Sequence, residues 1–146
     1  MVGDRKNIWL VEDDKSTRVV INLELKKTGH NILEFFTVDD ALAALQNKDV
    51  PRPDLIITDN NTGSEKDGAA LITAAKTENI KSILMSAESK PKDSEKSALE
   101  VLALRLGAEA FFNKAESGYV KKLRGKVEEL LGQGPIQSPP NNSPNR

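Results

Sequence analysis

The sequence predicts an α/β domain in which five short strands alternate with five helices around one parallel sheet. Two observations lead there. Short apolar runs recur between stretches of helical periodicity, the pattern of repeated strand–helix units. The chain has 146 residues, enough for one substantial core and too few for several domains.

The strands are expected at Asn7 to Val11, Asn31 to Phe36, Leu55 to Thr58, Ser82 to Met85 and Ala110 to Phe112. Helices are expected at Ser16 to Lys27, Val38 to Gln46, Ala69 to Thr77, Ser94 to Leu106 and from about Gly118 to Leu131. Gly29 and Gly107 follow the first and fourth helices as stops, and Pro51 and Pro53 separate the second helix from the third strand. In the last helix Tyr119, Leu123, Val127 and Leu130 recur at helical spacing, with Ser117 as the expected N-cap. This divides the chain into a short segment 1–5, a domain 6–131 and, from Gly132, a proline-rich tail 132–146 expected to be disordered.

Composition narrows the chemistry. With no cysteine and one histidine, disulfides, zinc–thiolate sites and cysteine nucleophiles are excluded, and His30 cannot build an imidazole metal site alone. A metal here must bind through oxygen. A formal charge of −1 with mixed Lys and Glu argues against nucleic acid as a direct partner. The polar start and the lack of a long apolar run predict no membrane contact and a cytoplasmic protein.

Ligands of an open parallel sheet bind outside the carboxyl ends of the strands, and four of the five predicted ends carry reactive groups. The first ends in Glu12-Asp13, the third in Asp59, the fourth in Ser86 and the fifth in Lys114. Acids held this close repel one another unless a cation compensates. A hard divalent ion suits the all-oxygen donor set, which favours Mg²⁺ (or Mn²⁺) over zinc or copper. Asp59 could then attack as a carboxylate and form an acyl phosphate, with Lys114 neutralising phosphoryl oxygens and Ser86 donating a hydrogen bond.

These residues resemble the receiver domain of bacterial two-component response regulators from about Lys6 to Leu131. The resemblance rests on "LVEDD" with "STR" (Leu10 to Asp14, Ser16 to Arg18), "PDLIITDNN" through "DG" (Pro53 to Asn61, Asp67-Gly68), "LMSAE" (Leu84 to Glu88) and "GAEAFFNK" (Gly107 to Lys114). It implies a flavodoxin-like three-layer (βα)5 sandwich with a central five-stranded parallel sheet. It also implies Asp59 as phosphoacceptor, with Glu12, Asp13, Asp59 and the backbone carbonyl of Asn61 as metal ligands. Ser86 matches the switch hydroxyl, Phe111 the switch aromatic and Lys114 the phosphate-binding lysine, while Asn61 and Glu88 occupy positions that tune phosphoryl lifetime. The implied partners are a sensor histidine kinase or phosphotransfer protein, and a target protein met by the face of the fourth helix, fifth strand and fifth helix. The reading is of a stand-alone receiver, with no output domain after Leu131.

The sequence departs from the family pattern in four places. Ala115 follows Lys114 where members usually have proline, often in a cis bond. The segment from Asp59 to Gly68 is slightly long, with Gly63 where proline is frequent, and is expected to be mobile. A longer segment lies between Ser86 and Gly107, in or beside Glu88 to Ser97, implying a longer loop or an added helical turn. Phe111 lacks the hydroxyl of the common tyrosine.

Simpler roles compete for several residues. Asp14 reads as the cap of the first helix, leaving Glu12 and Asp13 unexplained by capping. Asp59-Asn60-Asn61 alone would be a turn; its place after a buried strand, opposite the acid pair, argues otherwise. His30 is expected to sit in solvent or to help cap the preceding helix, Trp9 in the core, and the charge run Lys90 to Lys96 on a solvated face. Two other functions compete with the phosphorylated switch. One is a receiver-fold scaffold that acts without phosphorylation. The other is a small aspartyl phosphohydrolase, which "DNNTG" fits poorly because Asn61 stands where its second acid should be.

Overall fold

In the computed structural model, residues 3–88 and 96–135 are described. Five strands, β1 (Asn7–Val11), β2 (Asn31–Phe35), β3 (Leu55–Asp59), β4 (Lys81–Ser86) and β5 (Ala110–Asn113), alternate with α1 (Lys15–Leu25), α2 (Val38–Leu45), α3 (Gly68–Thr77), α4 (Ala98–Leu106) and α5 (Tyr119–Leu131). All pairings are parallel, in the order β2-β1-β3-β4-β5. This is the expected flavodoxin-like sandwich.

Alternation along the strands splits the core into two layers. Ile8, Leu10, Ile57 and Met85 meet Ile21 and Leu25 of α1 and Leu123 and Val127 of α5. On the opposite face Trp9, Val11 and Ile56 meet α2 and α3, and Leu84 meets Ile72 and Ala103 of α3 and α4. Both faces of β3 are therefore covered and the whole strand is buried, which is why Leu55, Ile56 and Ile57 are apolar in succession rather than alternating. Trp9 is 1% exposed and 4.7 Å from Phe35, a core residue as expected.

Helix starts follow local capping. Asp14 accepts from Thr17 N at 2.8 Å, Thr37 from Asp40 N at 3.1 Å, Asp67 from Ala70 N at 3.0 Å and Ser97 from Glu100 N at 3.0 Å. The first helix tightens into a 3-10 turn, Lys26–Thr28, before Gly29 at φ 81°, and α4 stops at Gly107 with φ 108°. Ser117 does not cap α5. Gly118, in the left-handed region, precedes the helix with no side-chain cap, so the turn geometry sets the start.

Two further expectations are revised. His30 is 5% exposed rather than solvated: Lys6 N–H donates to its Nδ1 at 3.0 Å, and its Nε2 lies 2.8 Å from Gly132 O. Its partners are 24 and 102 positions away, beyond the reach of local pattern. The segment from Asp59 to Gly68 is tied down. Thr62 Oγ1 accepts from Val38 N at 2.8 Å, and Asp39 accepts from Glu65 N and Lys66 N, both at 3.2 Å.

Of the segment expected to be disordered, Gln133 O accepts from Gly3 N at 3.0 Å and Gly134 N donates to Thr28 O at 2.7 Å. The rest, from residue 136, lies outside the described residues, as does most of the Lys90 to Lys96 charge run. The fourth helix, expected from Ser94, starts at Ala98, because Ser97 in extended backbone caps it.

Candidate functional site

The strand order reverses at β1: the chain moves from β1 to β2 on one side, then to β3 on the other. The helices that follow β1 and β3 therefore diverge, opening a crevice at the carboxyl ends of these strands. Glu12 follows β1 directly, and Asp59 closes β3.

Glu12, Asp13 and Asp59 each offer a carboxylate oxygen within 4.8 Å of the others. Glu12 is 1% exposed and Asp59 7%, while Asp13 is exposed. Arg18 fixes the turn that presents the pair. Its Nη1 donates to Glu12 O at 2.9 Å and Asp13 O at 3.4 Å, and its guanidinium lies 4.1 Å over the Phe36 ring. Glu12 Oε2 also accepts from Asp14 N at 3.1 Å, which turns the carboxylate back over the helix start.

Lys114 enters from the end of β5. Its Nζ lies 2.8 Å from Glu12 Oε1 and 2.9 Å from Asp59 Oδ1, a cation bridging two buried acids. Burial pushes both the Glu12 and the Asp59 carboxyls above the ordinary range, and the lysine pulls each only part of the way back. Burial opposes the charge on Lys114 too, yet hydrogen bonds to Glu12 and Asp59 outweigh it and hold the ammonium above its usual range. One ammonium thus compensates two buried carboxylates incompletely. The unmet need is for positive charge, and the three carboxylates with no sulfur or imidazole among them fit a hard divalent cation.

The remaining candidates lie on β4 and β5 and in the segments that follow β3 and β4. Ser86 ends β4, where its carbonyl accepts from Lys114 N at 2.9 Å. The Asn61 backbone N–H donates to the Asp59 carboxylate, and its own side chain accepts from Gly63 N at 3.1 Å. Phe111 is half-buried against the cluster of Ile72, Leu84, Ala103 and Ala108, between α3 and α4. Glu88 has a buried Oε1 with no hydrogen-bond partner among the described residues, while its backbone N and O are both held by Asn113.

Sequence reasoning missed four supporting residues. Gly68 stands where a Cβ would lie 2.7 Å from Asp59 O and 2.8 Å from Asn60 Cα, so only glycine lets α3 start against the backbone of Asp59. The "DG" pair was visible; its steric reason was not. Arg18 and Asn113 act on backbone far away or around a turn, and neither contact has a sequence signature. Tyr119 was read only as part of a helical stripe, yet its phenol is raised by burial and feels the charges of Lys114, Glu12 and Asp59.

Residues 8–123 match the family described as the response regulator receiver domain. Among curated proteins, the alkaline phosphatase synthesis transcriptional regulatory protein PhoP of Bacillus subtilis is 24% identical over 134 residues, covering 92% of this chain and 52% of its own length. The chain thus spans about half the length of that relative. Among solved structures, the phosphorylated cyanobacterial phytochrome response regulator RcpA superposes with a TM-score of 0.71 at 23% identity, over 92% of this chain and 99% of that one. The Francisella response regulator 1452 receiver domain gives 0.69 at 21% identity, over 86% and 96%. These likenesses carry the fold. With the family match over most of the chain, and the acid crevice at the switch point of a 2-1-3-4-5 sheet, the chain belongs to the response regulator receiver domain family.

Proposed function

We propose that Asp59 accepts a phosphoryl group from the phosphohistidine of a sensor histidine kinase or phosphotransfer protein, and that the acyl phosphate switches protein–protein contacts. The observation that carries this reading is the placing of Asp59, beside Glu12 and Asp13 and 2.9 Å from Lys114 Nζ. A carboxylate oxygen of Asp59 attacks phosphorus, the bond from phosphorus to the imidazole nitrogen breaks, and the imidazole leaves with the bonding pair. Lys114 swings its ammonium from the carboxylates to the arriving phosphoryl oxygens, a move its flexible stem allows. Ser86 donates its hydroxyl hydrogen to another of them. Glu12, Asp13, Asp59 and the carbonyl of Asn61 would hold Mg²⁺ (or Mn²⁺), which when bound neutralises charge on the transferring group.

The switch follows from differential contacts. The acyl phosphate favours whichever state brings Ser86 and Lys114 closest to it, and Phe111 follows Ser86 into the space left behind. The face of α4, β5 and α5 then presents a changed surface to a target protein. Among the described residues no helix is long and apolar enough to cross a membrane, which supports action in the cytoplasm.

Incubation with acetyl phosphate and Mg²⁺, followed by intact mass, tests the proposal. One phosphoryl adduct is expected, and none in Asp59→Asn; an adduct that survives in that variant sinks the assignment. Partner binding undiminished in Asp59→Ala, with no measurable Mg²⁺ affinity, would favour the phosphorylation-independent scaffold.

A further inference from the structure

The residue next to Lys114 makes three side-chain hydrogen bonds that the chemistry above does not use. Asn113 ends β5 and stands in register with Ser86 on β4. Its Oδ1 accepts from Ala115 N at 2.9 Å and from Glu88 N at 3.1 Å, and its Nδ2 donates to Glu88 O at 2.9 Å. The first bond closes a turn around Lys114. The other two grip both backbone groups of Glu88, so the amide continues the β4–β5 ladder past the end of the sheet, where Lys114 N already donates to Ser86 O.

Lysine has a long stem, and holding its ammonium at 2.8 and 2.9 Å from two acids requires a fixed backbone to start from. A proline at 115 would restrict that backbone by sterics. Ala115 imposes no such restriction. The chain turns here around the hydrogen bond from Ala115 N to Asn113 Oδ1. At this length only asparagine offers one oxygen to two N–H groups and an N–H to a carbonyl; aspartate lacks the donor, and serine reaches Ala115 N but not Glu88.

We propose that Asn113 is the positioning residue for Lys114, replacing the proline of related chains, and that it ties the Ser86–Glu88 segment to the lysine so that the two phosphate-binding groups move together. This rests on the phosphoacceptor reading of Asp59. Asn113 touches none of the reacting atoms and acts through its neighbours.

The test measures the rate of adduct formation from acetyl phosphate and Mg²⁺ by intact mass, with amide exchange at Ala115 and Glu88. Asn113→Ala is expected to slow the reaction about tenfold or more, the scale of a displaced catalytic group, with Mg²⁺ affinity within about twofold of the parent. Asn113→Ser keeps an acceptor for Ala115 N, so its rate should stay within about threefold of the parent, with faster exchange at Glu88 alone. In a Lys114→Ala background, Asn113→Ala should slow nothing further, as expected for a residue that acts through the lysine. Should Asn113→Ala not fold, Asn113→Gln, with the same groups one methylene out of register, is expected to slow the reaction likewise. An unchanged rate in Asn113→Ala or Asn113→Gln, or slowing that multiplies with that of Lys114→Ala, overturns the proposal. Absence of an adduct in the parent chain instead refutes the reading of Asp59.

Discussion

Lys114 and Glu12 are 102 positions apart in sequence, and their side chains meet at 2.8 Å beneath the crevice. The glutamate is almost wholly buried, so the contact is where the last strand locks onto the first. Deleting the ammonium leaves two buried carboxylates facing each other. Lys114→Ala is expected to lower stability by roughly 3 kcal/mol, the usual cost of stranding a buried charge, and to slow phosphorylation about a hundredfold. Chemical denaturation and intact-mass kinetics on one sample check both.

The raised carboxyls give a pH-dependent prediction for the metal-free protein. Glu12 and Asp59 bind protons more tightly folded than unfolded. Their favourable contribution is therefore complete below the unfolded pKa and is lost as the pH rises through the folded one. Asp59→Asn, which cannot ionise, should then stabilise the chelator-treated protein by an amount that grows as the pH rises above the unfolded carboxyl pKa of about 4. Added Mg²⁺ should raise the unfolding temperature of the parent and shrink this difference. A gap that is flat with pH, measured by thermal melts in both conditions, contradicts the account.

Gly68 offers a steric test. A methyl there meets Asp59 O and Leu84 Cδ1, both at 2.7 Å, and backbone has to shift. Gly68→Ala should cost about 1–3 kcal/mol despite the better helix propensity of alanine, and it should slow phosphorylation because the strain falls on the Asp59 peptide. Gly125 in α5 has nothing within 4 Å of an added Cβ, so Gly125→Ala is the control, expected to stabilise by up to about 1 kcal/mol.

His30 predicts the opposite separation. Its ring bonds Lys6 N and Gly132 O at the amino ends of the strands, far from the crevice. His30→Ala leaves both backbone groups without their partner and should cost about 1–3 kcal/mol. The phosphorylation rate of the folded variant should match that of the parent, and a large drop would mean the two poles of the sheet are coupled.

The five strands and five helices were legible because each carries its own periodicity and punctuation, such as "LIIT" between proline and acid or Gly107 after α4. The grouping of the acids and the lysine was legible because a parallel sheet brings strand ends to one edge, so that sequence position implies spatial position. What escaped was of another kind. His30, Arg18 and Asn113 each use a side chain to satisfy backbone groups, and any polar residue of the right length can do so. Ser117 misled because a hydroxyl before a helix is a good cap only when the intervening turn allows it, and the left-handed Gly118 does not.

The bond from Gly3 N to Gln133 O, with His30 and Thr28 holding the strand of chain between them, brings both ends of the domain to one pole. Gly134 completes the join, since a Cβ there would sit 2.7 Å from Gly29 O and from His30 Nδ1. Optical probes attached near residues 3 and 133 would therefore start close together and part only when the domain unravels. Such a pair would read out the integrity of the domain, whereas a probe for the proposed switch belongs on α4, away from this pole.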